Sequence, residues 1–438
     1  MADLVLRARC AFVDGRIRPA TVVVADGRIV RVGGLDDPAV PDAVLGDDEV
    51  LLPGLVDTHV HVNEPGRTEW EGFATATAAA LAGGVTTIVD MPLNSIPPTI
   101  DLEALAVKRR AADGAVAVDT GFWGGAVPAS LGRLEALWDE GVLGFKAFLS
   151  PSGVEEFPHL DREQLHAALA EVAGFGGLLI VHAEDPAVLD RSPRPSGRNY
   201  RRFVASRPPE AETAAIAAVI DGVRRTGARA HVLHLSSAAA LPMLAAAKAE
   251  GLPVTVETCP HYLVFDEDAI PDGATQFKCC PPIRDAANQD ALWAALLDGT
   301  IDAVVSDHSP STAERKLAGD GDFGVAWGGV AGLQFGLAAV LTAARRRAVA
   351  LERVLPWFTT GPADLVGLSS KGRIAPGGDA DLVVLAPDEA HRVETGDLLF
   401  RNPVSAYVGS DLTGTVRRAW LAGRPAGGPP AGRLLRRA

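Results

Sequence analysis

The sequence is poor in several things, and each scarcity removes a class of protein. Four cysteines are present, Cys10, Cys259, Cys279 and Cys280, with no CxxC spacing among them. Neither a disulfide framework nor a zinc knuckle is therefore expected, and free thiols suit a reducing cytoplasm. The opening residues (MADLVLRARCAFVDG) show no charged leader followed by a sustained apolar region, so no signal peptide is expected. The most apolar later stretch, GGVAGLQFGLAAVLTAA, contains Gln334 and several glycines. It reads as a helix packed on barrel strands and not as a membrane span. Positive charge is in deficit: the formal net charge is −14, which argues against a nucleic-acid partner. Lysine is rare, at six of 41 basic residues. Aromatics are few, and alanine, glycine and branched aliphatics dominate, as in α/β proteins. The arginines that close the chain (RLLRRA) are expected to form a solvated tail.

What is present is a regular rhythm. Apolar segments at 51–57, 84–91, 115–122, 142–149, 177–183, 229–235, 252–258 and 301–307 read as buried strands. Alanine-rich helical segments separate most of them, for example EWEGFATATAAALAGG, DREQLHAALAEVAG and SSAAALPMLAAAKAEG. Such alternation calls for parallel strands joined by right-handed crossovers. Eight strands in this rhythm, with no Gly-x-Gly-x-x-Gly after the first, favour a closed barrel over a dinucleotide-binding sheet. Both ends of the chain read instead as short strands with turns. The expected architecture is a (β/α)8 TIM-like barrel over 53–370 and a small β-sandwich built from 1–52 plus 371–430.

Six residues late in these strands are candidate metal ligands: His59, His61, Lys146, His182, His234 and Asp307. Barrel active sites form at the C-terminal strand ends, so scattered segments converge on one mouth. His59 and His61, two apart on a strand, face the same side. Asp57 just before them is either a partner for a ligand or a caged charge. A lysine at the end of a buried strand is costly, and burial lowers its pKa. As a neutral amine, Lys146 could add carbon dioxide and become an anionic carbamate able to bridge two metals; the other reading is a barrel lysine paired with a carboxylate. His231, an odd three residues before His234, is expected to point outward against the helices. His261 in CPHY is expected at the site's edge, off the metals. Histidine and oxygen ligands suit two divalent ions, zinc first, with cobalt, manganese or iron as alternatives. A metal pair implies hydrolysis, because coordination brings the pKa of water down to about 7.

With those residues in place, the chain resembles the cyclic amidases of the amidohydrolase superfamily: dihydroorotases, dihydropyrimidinases (hydantoinases) and allantoinases. The resemblance runs from GLVDTHVH to GRIAPGGDADLVV. It is closest to the allantoinase group, through HVNEPGRTEWEGFATATAAALAGGVTTIVDMPLNSIPPT, GVLGFKAF, CCPPIRDAANQ, VVSDHSP and AWGGVAGLQ. It implies a carbamylated Lys146 bridging two metals, with His59, His61 and Asp307 around one and His182 and His234 around the other. Asp307 becomes the general acid/base, the partner a small cyclic amide (allantoin, opened to allantoate), and the assembly a homotetramer. Dihydroorotases usually carry Arg where this chain has Asn63, and dihydropyrimidinases Tyr where it has Pro151; both departures point away from those sisters. Ser152 nearby reads as an oxyanion donor or a turn residue. For the substrate ring the candidates are the side chain of Asn94, otherwise a turn residue after Pro92, and the backbone around Cys280 and Gly328. The glycine-rich, charged segment 309–328 is expected to be a mobile loop near the mouth.

Overall fold

The computed structural model describes residues 3–437. Parallel strands Leu55–Val60, Val85–Asp90 and Asp119–Phe122 form one ladder; Phe145–Phe148, Leu178–His182, Arg229–Val232, Val254–Thr258 and Ala303–Val304 continue in a second, which Gly124–Gly125 begins. The two ladders close on each other. Leu143 donates to Phe122 across one junction (3.0 Å), and His308 bridges Val60 across the other. This is the (β/α)8 barrel, with helices laid over the strands.

The helices form where the pattern places an apolar stripe beside a stop signal. Arg162–Gly174 buries Leu165, Ala168, Leu169 and Val172, a three-four spacing that lines one face, and Asp161 with Gln164 closes a capping box at its start. Phe73–Ala82 and Leu241–Ala249 occupy two of the other expected segments. The apolar stretch near residue 336 is the 11-residue helix Gly336–Arg346. No helix among the described residues is long and apolar enough to cross a membrane.

The first expected strand divides. Val50–Pro53 joins a sheet made of strands from both chain ends, in the order Arg424–Pro425, Asp411–Leu421, Leu382–Arg392, Val50–Pro53, Leu4–Val13, Arg16–Ala25, Arg28–Gly33. Gly54 is the joint. A Cβ there would lie 1.9 Å from Thr86 Oγ1, so no larger residue lets the chain pass from sheet to barrel. Leu6, Val22, Val24, Leu51, Leu382 and Trp420 form a core of their own. The turn between Arg16–Ala25 and Arg28–Gly33 meets the residues just ahead of Leu382–Arg392 where Ala380 donates to the Gly27 carbonyl (2.9 Å).

The C-terminal residues are not a solvated tail. Leu434 bridges Thr120, and Leu435 donates to the Thr120 carbonyl at 2.8 Å, so the tail adds to the edge of the third barrel strand. The unpaired backbone of that short strand is the physical reason it docks. Arg433 adds its guanidinium to Asp119 (2.7 Å), and Arg437 lies over the Trp138 ring at 3.9 Å. At the same end of the barrel Lys371 is buried among Asp119, Asp379 and Asp381, at 2.5, 2.9 and 2.6 Å. Burial lowers the Lys371 amine, but the three carboxylates outweigh it and hold the group charged. Replacing Lys371 by Met should leave uncompensated buried carboxylates and cost about 3–5 kcal/mol. Chemical denaturation measures this; a change below about 1 kcal/mol would mean that Arg433 alone neutralises the cluster.

Candidate metal centre

Five barrel segments deliver polar side chains to one cavity of about 400 Å³. His59, His61, Lys146, His182, His234 and Asp307 all line it, together with Asn94, Cys280 and Gly328. Two of the six leave regular strand geometry to do so: His234 has φ +35° and Asp307 φ +43°. Each lies just past the last paired residue of its strand, where the backbone turns into the left-handed region. That turn also corrects the expectation for His231. His231 does not face the outer helices; its ring bonds Thr255 Oγ1 (2.8 Å) and Glu257 Oε2 (2.9 Å) on the side of the strand that His59 faces. The odd spacing misled because His234 is no longer on the strand.

Glu257 organises the first half of the site. Its Oε1 meets His59 Nδ1 at 2.5 Å while Oε2 takes His231. A carboxylate on Nδ1 fixes the proton there and leaves Nε2 as the lone-pair face. His59 Nε2 points at Asp307 Oδ1 (3.2 Å), and His61 Nε2 approaches the same oxygen (3.4 Å). Asp57 settles as a backbone clamp: its two oxygens accept from the amides of His59 and Ser306, each at 3.0 Å, drawing the first strand against the segment that carries Asp307. Burial pushes the Asp57 carboxyl up to about 6, against those hydrogen bonds.

Glu184 does the same for the second half. Its Oε2 meets His182 Nε2 at 2.7 Å, and Arg207 pairs with the same oxygen. His182 Nδ1 is thereby turned to His234 Nε2, 2.9 Å away. Two imidazole nitrogens facing each other at that distance share a proton or hold a cation. Glu184, Glu257 and Arg207 went unnoticed in the sequence. A signal was present: a glutamate at the end of an apolar strand, as in VETCP or VHAED, is a charge that must be paired where it lies.

The electrostatics favour metal ligation. Burial lowers His61 to about 4 and, with the nearby His182 and Lys146 charges, lowers His234 well below the ordinary histidine value. Burial also lowers His182, opposed by Glu184. These imidazoles are therefore neutral, as ligands must be. Burial brings Lys146 down to about 7, opposed by Asp307 and Glu257. Among the described residues its Nζ has no hydrogen bond or ion pair; it lies over the Phe148 ring at 4.4 Å. The alternative of an ordinary lysine paired with a carboxylate is thus not what the barrel holds. Burial raises Asp307, but His59, His61 and His234 outweigh it and keep the carboxyl well below its usual range. His59 moves the other way: burial lowers it, yet Asp307 and Glu257 push it up to about 9. The position favours a cation, and a proton or a metal ion satisfies it.

The donor set therefore fits metal ions. Ligand atoms of His59, His234 and Asp307 lie within 4.8 Å of one another, all buried. His59 Nε2, His61 Nδ1 and His234 Nδ1 have no hydrogen-bond partner among the described residues. His261 is also buried and near Asp307, beside Cys259, but does not line the cavity. The other acidic cluster, Asp119, Asp379 and Asp381, is already filled by the Lys371 ammonium.

Cys280 and Gly328 also line the cavity. Asn94 stands at φ +69°, its carbonyl held by Arg67 (2.9 Å), and its side chain makes no hydrogen bond among the described residues. Ser152 Oγ is spent on the Phe157 carbonyl (2.6 Å), which makes it a turn residue. The segment 309–328 contains a short helix, Ala313–Lys316, and is tied to the neighbouring chain where Lys316 donates to the Lys278 carbonyl (2.9 Å).

A barrel whose strand ends present four imidazoles, an isolated amine and an ionised carboxylate is the architecture of a metal-dependent hydrolase, and comparison gives the family. The chain belongs to the amidohydrolase family, whose model matches residues 50–426. It is 57% identical over 442 residues to the allantoinase of Streptomyces avermitilis, covering 99% of each chain. It is 47% identical to the allantoinase of Saccharomyces cerevisiae, covering 85% of this chain and 82% of that one. Among solved structures it is similar to the L-hydantoinase (dihydropyrimidinase) of Arthrobacter aurescens, with a TM-score of 0.92, 28% identity and full coverage of both chains. The dihydropyrimidinase of Brevibacillus agri matches with a TM-score of 0.88 and 29% identity, covering 99% of this chain and 98% of that one.

Replacing Glu257 by Gln removes the charge that orients both His59 and His231. Such partners of metal-binding histidines typically contribute 10–100-fold in metal affinity. Competition with a chromophoric chelator should show a loss of about that size; unchanged affinity would place Glu257 outside the metal site's support.

Proposed function

We propose that this chain hydrolyses the hydantoin ring of allantoin to give allantoate. The observation that carries the reading is the convergence of His59, His61, Lys146, His182, His234 and Asp307 in one cavity, on a chain 57% identical, end to end, to an allantoinase. The metal ligands are proposed as His59, His61 and Asp307 for one ion, His182 and His234 for a second, and Lys146 as a carbamate shared by both. Zinc suits these ligands best, with cobalt, manganese or iron as substitutes. When bound, such ions would supply a low-pKa water and polarise the ring carbonyl.

The chain's own groups do the rest. Lys146, partly neutral at pH 7 because of its burial, adds carbon dioxide through its amine and loses a proton to solvent. Asp307, kept ionised by its imidazole neighbours, accepts a proton from the attacking water and returns it to the leaving ring nitrogen. One ring C–N bond breaks, one C–O bond forms, and the product carries a new carboxyl group. Ser309 donates to Asp307 Oδ1 (2.8 Å) and fixes the carboxylate for that exchange. Asn94 offers a donor and an acceptor to the alternating NH and C=O groups of the ring, and backbone near Cys280 and Gly328 faces the same space.

A dihydropyrimidinase reading is favoured by the solved structures above. Against it, Pro151 lines the cavity where those enzymes carry a tyrosine, and none of the chain's three tyrosines lies in the lining. The barrel at 53–370 and composite sheet domain at 1–52 plus 371–430 belong to this proposal, supported by the sheet that joins both chain ends. So does a cytoplasmic location, which the four free cysteines suit. A homotetramer is proposed from the full-length likeness to the cyclic amidases, and sedimentation measures it.

Metal-replete protein should turn over allantoin faster than hydantoin, dihydrouracil or dihydroorotate. Preference for dihydrouracil would overturn the substrate. Asp307→Asn should lower kcat by about 10²–10⁴; a smaller loss would assign the proton transfer to another group.

A further inference from the structure

Two lysines that are not among the proposed metal ligands, Lys316 behind the cavity and Lys278 in its lining, stitch together two segments of its wall. Lys316, buried at 5% exposure, carries three N–H donors and meets three carbonyl oxygens: Lys278 (2.9 Å), Trp327 (3.1 Å) and Gly329. Lys278 returns the contact, its Nζ donating to the Ala326 carbonyl at 2.5 Å. Between them, the Gly329 amide donates to the Lys278 carbonyl at 2.8 Å. The two segments that are joined, 278–280 and 326–329, carry Cys280 and Gly328 on the cavity wall.

A buried ammonium without a carboxylate partner is an expensive way to fill space. A methionine would pack as well. Neither lysine forms an ion pair among the described residues; each donates to main-chain oxygens, Lys316 on both joined segments and Lys278 on the Ala326 carbonyl. Thr275 donates to the Lys316 carbonyl at 2.7 Å and steadies the backbone from which Lys316 extends.

We propose that Lys316 and Lys278 are positioning residues that set the separation of the Cys280 and Gly328 backbones, and so the fit of the cyclic amide between them. This rests on the reading above that this wall holds the substrate ring. It assigns a function to the segment 309–328 as a stapled wall of the site.

The test is steady-state kinetics on the metal-loaded enzyme. Lys316→Met should raise KM for allantoin about tenfold or more, with metal content and kcat within about twofold of wild type. Thr275→Val, a milder change, should raise KM by a few-fold, and keeps the test available if Lys316→Met fails to fold. Gly328→Ala serves as the control for the wall itself. Its new Cβ would lie 3.8 Å from Cys280 Sγ, clear of the protein, but would take space from the ring. A raised KM in Gly328→Ala with unchanged KM in the Lys316 and Thr275 variants overturns the positioning role alone. Unchanged KM in all three removes the wall as the ring's binding surface, and the proposal with it. Loss of metal or a matching fall in kcat in Lys316→Met would make the lysine a general support of the barrel and also overturn the proposal.

Discussion

The metal centre depends on how the first and last barrel strands are held together. The eighth strand has only two residues in regular pairing, Ala303 and Val304, so the ladder alone cannot deliver Asp307 to His59 and His61. Asp57 does it, with one oxygen on the His59 amide and the other on the Ser306 amide. Once closed, the junction sets Asp307 Oδ1 at 3.2 and 3.4 Å from the two imidazoles. Glu257 then fixes which nitrogen of His59 faces Asp307. Two buried carboxylates, neither lining the cavity, thus fix the geometry and the tautomer of the imidazoles that do.

Buried charge is used sparingly and for particular tasks. Lys371 pairs with three carboxylates, two of which Arg433 also meets, and Lys108 pairs with Asp90 at 2.7 Å. Lys278 and Lys316 bind carbonyl oxygens. Lys146 alone among these buried lysines is left without a polar partner in the described residues, facing an aromatic ring and a set of imidazoles. Burial brings its amine down to about 7, and a neutral amine is the form that reacts with carbon dioxide.

Much of this was legible in the chain. Five apolar runs with His, Lys or Asp late in them mark strands whose ends must find polar company, and eight apolar runs in alternation with helices define a closed barrel. Period-two reasoning worked for His59 and His61, which lie at or just past the end of their strand. It failed for His231 and His234, because the chain leaves the strand at a positive φ between them. Glu184 and Glu257 were hidden because a lone glutamate in an apolar run reads as noise until its partners, distant in sequence, are known. The docking of the C-terminal arginines was hidden for the same reason: Asp119 and Trp138 lie about 300 residues away.

The most direct measurement is metal reconstitution of the apoprotein with zinc in carbon-dioxide-free buffer, with and without added bicarbonate, followed by metal analysis. If Lys146 acts as a carbamate, full metal content and allantoin hydrolysis should return only with bicarbonate, and ¹³C-bicarbonate should give a carbamate resonance that Lys146→Ala lacks. Full loading and activity without any source of carbon dioxide would contradict the carbamate-bridged centre.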